Sequence, residues 1–224
     1  CSNTAGHGHQ TLEEAVGHSC NPAFITFGLK LGNQKFYDYM RSFGLMDGSG
    51  IDLSGEATGI FMNPDDFSEL DLACYAFGQN FNVTPIALVS AQAACVNGGY
   101  LRTPYVVSQV TDSDGNVVSQ HDDTPVRQVI SSDTSAKVRQ CLEYVVAQGT
   151  GKNGQVSGYR VGGKTGTADK GQSGDVVVSF LCFAPANDPK VMMLITMDTP
   201  ARDTGTYVSG GNMVAPTSSK IMSE

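Results

Sequence analysis

Three strand-like segments crowded into the last third of the chain constrain the fold more than any other feature: Tyr159–Thr167, Val176–Ala184 and Val191–Met197. Their connections, one Gly-rich and the other Asn187-Asp188-Pro189, are too short for the crossover that parallel neighbours need. An antiparallel meander is the arrangement left open. The second and third segments are apolar almost throughout, which implies cover on both faces, and a helical pattern over Asn212–Met222 can supply one of the covers. The expected fold class is therefore α+β, an antiparallel sheet packed with helices.

Helical signals fill the rest. Leu12–Gly17 follows a capping Thr11, Pro22–Leu31 opens on proline, and Gln34–Phe43 repeats Phe36, Tyr39, Met40 and Phe43 at helical spacing before Gly44. Asp47–Pro64 is rich in turn formers and should run over the surface. Pro85–Val96 has a Thr84 cap, a Pro85 start, a Gly98-Gly99 stop and an apolar interior that predicts burial. Tyr105–Val118 reads as a hairpin around Asp114-Gly115, and Thr134–Gln148 as a long helix capped by Ser132 or Asp133.

With 224 residues, 40% apolar and 16% charged, residues 1–224 should form one folded domain. A net charge of −8 disfavours nucleic acid and anionic lipid as partners. Apolar runs such as Val191–Ile195 fall far short of the roughly 20 residues of a membrane-spanning helix. The six cysteines are irregularly spaced, and Cys74, Cys95, Cys141 and Cys182 lie in apolar runs, so packing rather than a disulfide framework is expected. His7 and His9 read as loop residues, and Asp65, Asp66, Glu69 and Asp71 as a solvated face. No metal site and no cofactor are expected.

The stretch most suggestive of chemistry is Gly162-Gly163-Lys164-Thr165-Gly166-Thr167-Ala168. In a strand, Lys164 and Gly166 share one face and Thr165 and Thr167 the other unless a bulge intervenes. The glycines let a ligand lie against the backbone as an added strand, with a lysine and two hydroxyls at hand for a carboxylate. Ser19-x-Asn21, at a junction between helices, is the second candidate. Taken alone, these two residues favour simple helix capping.

In this order, Ser19-x-Asn21 and Lys164-Thr165-Gly166 resemble the second and third motifs of the serine penicillin-recognising enzymes. Gly6-His7-Gly8, Ser19-Cys20-Asn21-Pro22-Ala23-Phe24, Phe77-Gly78-Gln79, Val83-Thr84-Pro85, Asn97-Gly98-Gly99 and Gly149-Thr150-Gly151 extend the likeness over nearly the whole chain. It is strongest to class B penicillin-binding proteins of the division and sporulation type in Gram-positive bacteria. The resemblance implies a partial penicillin-binding transpeptidase fold, related to that of β-lactamases, with Ser19 in a proton-transfer network, Asn21 on the substrate amide, Lys164 as positive potential and relay, Thr165 on a terminal carboxylate beside Gly166, and the Thr167 N–H in an oxyanion hole. It implies peptidoglycan stem peptide and β-lactams as ligands, wall machinery as partner and a parent protein anchored at the extracytoplasmic membrane face.

One motif of that family is missing. The residues three before the eight lysines are Phe27, Gly32, Thr134, Gly149, Val161, Thr167, Asn187 and Thr217, so no Ser-x-x-Lys occurs. The nucleophile is expected to precede Cys1, the chain alone to be inactive, and an uncovered sheet edge to invite self-association. A sensor or scaffold that has lost its chemistry is an alternative. A phosphate-binding loop is a weaker one: Gly158-x-x-x-x-Gly163-Lys164-Thr165 fits the pattern, but a turn and a strand follow where a helix should begin.

Overall fold

The computed structural model describes residues 3–171, 174–203 and 205–224. Cys1 and the centre of the Thr167–Gly174 turn lie outside them. Seven helices are described: α1 (Leu12–Gly17), α2 (Asn21–Leu31), α3 (Asn33–Ser42), α4 (Glu69–Ala76), α5 (Pro85–Val96), α6 (Ser132–Ala147) and α7 (Ala215–Met222). The strands are β1 (Tyr100–Leu101), β2 (Gln109–Thr111), β3 (Val117–Gln120), β4 (Arg127–Gln128), β5 (Gly162–Asp169), β6 (Val176–Ala184) and β7 (Val191–Asp198).

The expected meander is the main sheet, in the order β5-β6-β7 with both pairs antiparallel. Its register runs without a bulge from Gly162 opposite Phe183 to Asp169 opposite Val176, and from Val177 opposite Asp198 to Ala184 opposite Val191. Alternation on β6 feeds two cores. Val178, Phe180 and Cys182 pack with Val146, Val214 and Ala215, whereas Phe183 packs with Val96, Leu142 and Ala186. Cover is nearly complete for β6, where only Val177 and Ser179 are half-buried, but not for β7, where Val191 and Met197 are exposed, because β7 is an outer strand.

Elsewhere the backbone departs from the expected boundaries. The first strand of the meander starts at Gly162 rather than Tyr159, since Tyr159 folds back in a turn onto the Val156 carbonyl. The hairpin is displaced to β2 and β3, with Asp112 gathering the turn by accepting from Asp114, Asn116 and Gly115. Ser131, one residue before the expected caps, accepts from the Thr134 N–H and starts α6. A π-helical turn, Gly210–Val214, precedes α7.

Helix α4 is an addition to the expected elements. Its signal is a capping box, in which Ser68 accepts from the Asp71 N–H while the Asp71 carboxylate accepts from the Ser68 N–H. Asp71 therefore caps a helix and is not merely solvated. Leu72 and Tyr75 of α4 bury themselves with Phe67 and the ring stack Phe61/Phe81 in a satellite core, and Gly28 lets α2 approach Ala76 closely. The five described cysteines are free; Cys20 and Cys182 are buried, but Cys74, Cys95 and Cys141 only partly so.

Candidate active site

Lys164 stands in the middle of β5, and its Nζ donates to Ser19 Oγ at 2.7 Å and to the Thr165 carbonyl at 2.9 Å. Residues 145 positions apart thus meet at one point. None of the ion pairs among the described residues, Arg160–Glu143, Lys170–Asp198, Lys190–Asp188 and His121–Asp123, involves Lys164. Its ammonium is held by a hydroxyl and a carbonyl only, and burial pushes it down to about 8. A cation kept charged only with difficulty, and not paired with a carboxylate, is suited both to attract an anion and to pass a proton.

Ser19 reaches Lys164 because of how α1 ends. The Ser19 N–H donates to the Val16 carbonyl and the Cys20 N–H to that of Ala15, the paired bonds of a left-handed helix stop. The residue at that stop is usually glycine, yet here it is serine at φ 50°. The capping reading of Ser19 and Asn21 is overturned: Thr11 caps α1, and Cys20, at the start of α2, caps nothing with its side chain. Asn21 is the first residue of α2, half-buried, two residues along from the serine. A strained non-glycine residue over-determined by its surroundings is a mark of functional sites.

On the other side of β5, Thr165 Oγ1 donates to Thr150 Oγ1 at 3.0 Å. Thr150 belongs to the Gly149-Thr150-Gly151 loop after α6, and its N–H donates to the Gly17 carbonyl at the end of α1. Sequence reading gave Thr150 no role, because nothing local distinguishes it. Gly166 carries no side chain, and a Cβ there would meet Ser179 Oγ at 2.5 Å. Gly210 of the π-helical turn lies so close to Gly166 and Ser179 that a Cβ would strike both carbonyl oxygens.

No strand pairs with the outer edge of β5 among the described residues. The Thr165 carbonyl, reached by Lys164, opens to that edge, and the Thr167 backbone two residues on has the same orientation. Lys164 and Ser19 thus meet beside Thr165, Gly166 and Thr167 at one strand edge that an extended peptide can join, with Asn21 two residues along the chain from Ser19. Because Gly163-Lys164-Thr165 is strand and the strand continues to Asp169, the phosphate-loop pattern lacks the geometry it needs. His7 stacks on His18 at 4.7 Å, and no group of three His, Cys, Asp or Glu able to hold a metal occurs among the described residues.

The family described as "Penicillin binding protein transpeptidase domain" matches residues 2–223. The chain is 44% identical to Stage V sporulation protein D of Bacillus subtilis over 99% of its own length and 35% of that protein's. It is 31% identical to the penicillin-binding protein PbpB of Mycobacterium tuberculosis over 86% of its length and 30% of that protein's. Among solved structures, penicillin-binding protein 3 of Mycobacterium tuberculosis complexed with aztreonam superposes with a TM-score of 0.84 at 28% identity, covering 94% of this chain and 50% of that one. The chain spans about a third of the length of the curated relatives it matches.

Proposed function

The chain belongs to the class B branch of the penicillin-binding protein transpeptidase family, and from that premise we propose that residues 1–224 are one incomplete transpeptidase domain of a peptidoglycan D,D-transpeptidase. The observation that carries this reading is the 2.7 Å bond from Lys164 to Ser19 beside an unpaired strand edge.

In the proposed reaction a serine hydroxyl attacks the carbonyl carbon next to the terminal D-alanine of a stem peptide. The serine proton passes through the Lys164–Ser19 pair to the departing D-alanine amine, and an amine of a second stem peptide then displaces the serine. Thr165 holds the terminal carboxylate in the positive potential of Lys164, Gly166 keeps the strand backbone accessible between them, and Asn21 bonds the substrate's amide. The Thr167 N–H faces the oxyanion that develops in the transition state, where a fixed donor is most effective. β-Lactams, which also present a carboxylate beside a reactive acyl group, would enter the same groove.

The nucleophile and its lysine come, on this reading, from chain outside these residues, which contain no Ser-x-x-Lys. The complete protein would act at the extracytoplasmic face of the membrane with the wall machinery of sporulation or division. No helix among the described residues is long and apolar enough to cross a membrane.

Fluorescent penicillin tests these statements separately. A covalent label on the complete protein and none on the isolated 224-residue chain is expected; a label on the isolated chain would overturn its predicted inactivity. In the complete protein, Ser19→Ala and Lys164→Ala should each slow acylation by about 10²–10⁴. Absence of label on the unaltered complete protein would favour a sensor that kept the fold without the chemistry.

A further inference from the structure

Gln10 holds both chain neighbours of Ser19 with one side chain. His18 Nδ1–H donates to Gln10 Oε1 at 2.9 Å, and Gln10 Nε2 donates to Cys20 Sγ at 3.4 Å. The amide therefore bridges the left-handed residue, with one arm on the residue before it and the other on the residue after it. Neither arm caps a helix, since Thr11 and Glu14 already form the capping box of α1. The His18 ring is stacked in turn on His7, centroids 4.7 Å apart and planes 8° apart. Gln10 is half-buried and Cys20 is buried, so the Cys20 end of the bridge is anchored in the interior.

The bridge meets a mechanical need. Ser19 stands at φ 50°, a conformation that a residue with a Cβ keeps only where its surroundings over-determine it. From the α6 side the turn is fixed at Gly17, whose carbonyl accepts the Thr150 N–H at 3.0 Å and where a Cβ would lie 2.6 Å from the Tyr144 ring. From the segment before α1, Gln10 fixes it at His18 and Cys20. Relaxation of Ser19 to negative φ would re-aim its hydroxyl, which now accepts from Lys164 Nζ at 2.7 Å. The same rotation would move His18 relative to Cys20 and pull them off the two ends of one amide, so both bonds oppose it. Resting on the transpeptidase reading above, we propose that Gln10 is a positioning residue: without touching substrate, it holds the Ser19 hydroxyl at the Lys164 ammonium, the junction through which the serine proton passes.

The test measures the maximal rate at which fluorescent penicillin acylates the complete protein, and the concentration that half-saturates it. Unaltered protein is compared with Gln10→Leu and Gln10→Glu, each alone and combined with Ser19→Ala. Leucine fills similar space without either bond, whereas glutamate keeps the acceptor for His18 and loses the donor to Cys20. Gln10→Leu should lower the maximal rate roughly five- to thirtyfold at a little-changed half-saturating concentration, and Gln10→Glu should fall between it and the unaltered protein. In the Ser19→Ala background neither substitution should lower the rate further, because no hydroxyl is left to position. An equal loss in both backgrounds would make Gln10 merely structural and sink the proposal, and so would unchanged rates in both Gln10 variants. Should Gln10→Leu lose its melting transition, Gln10→Glu in the two backgrounds decides alone. If the unaltered complete protein is not acylated, the transpeptidase reading itself is wrong and the role of Gln10 falls with it.

Discussion

At the scale of single residues, the site is assembled from two groups that the fold holds against their own preference. Ser19 adopts a left-handed conformation that costs a residue with a Cβ about 1–2 kcal/mol. Ser19→Gly and Ser19→Ala both remove the hydroxyl that receives Lys164, but only glycine relieves the backbone, so the glycine variant should be the more stable by about 1 kcal/mol in denaturant titration. Lys164 is the second such group. Its ammonium is pushed by burial from 10.5 down to about 8, so between those values the unfolded chain holds more protons than the folded one and stability must climb with pH. Lys164→Met should abolish that climb and stabilise the protein near neutral pH by on the order of 2 kcal/mol. Thermal melts from pH 7 to 10.5 would show both effects, and a slope unchanged by the substitution would contradict the assignment.

Among elements, α5 and α6 are tied by a buried hydroxyl and by Arg139, whose guanidinium donates to the Val96 carbonyl. Ser135 is fully buried; its Oγ accepts from the Gly98 N–H at 3.0 Å and donates to the Cys95 carbonyl at 2.9 Å. Those groups are the loose end of α5, and Gly99 beside them lies so close to the Ile130 carbonyl that no Cβ fits. Ser135→Ala should cost about 1–3 kcal/mol, seen as a lower urea midpoint at unchanged slope, because it strands a donor and an acceptor in the interior. Since α6 leads into the Thr150 loop, loosening it should also weaken the site. The capping boxes at α1 and α4 illustrate what local chemistry can do unaided: Thr11 with Glu14, and Ser68 with Asp71, each satisfy helix-end donors within four residues.

Over the whole molecule, the main sheet has two outer strands that differ in character. The β5 edge is lined by the candidate site, whereas β7 presents exposed Val191 and Met197 with no strand beyond it among the described residues. An open, apolar edge invites pairing with another chain. The 224-residue chain should therefore self-associate as its concentration rises, and Met197→Lys should reduce this. Light scattering that finds a monomer at high concentration would count against it.

The meander, its antiparallel sense and most helix starts were legible in the sequence, because each depends on interactions within a few residues: short connections, proline at a first turn, a serine or threonine cap. The pairing of Ser19 with Lys164 could be expected only through likeness to a family, since no local rule brings together residues 145 positions apart. The strand start at Gly162 and the bounds of the hairpin were decided by turn bonding, whereas helix α4 carried a local signal in its Ser68/Asp71 capping box. Thr150 was the least visible of all. It is an ordinary threonine until three glycines let α1, α6 and the π-helical turn converge on its backbone, and only that convergence sets its hydroxyl beside Thr165.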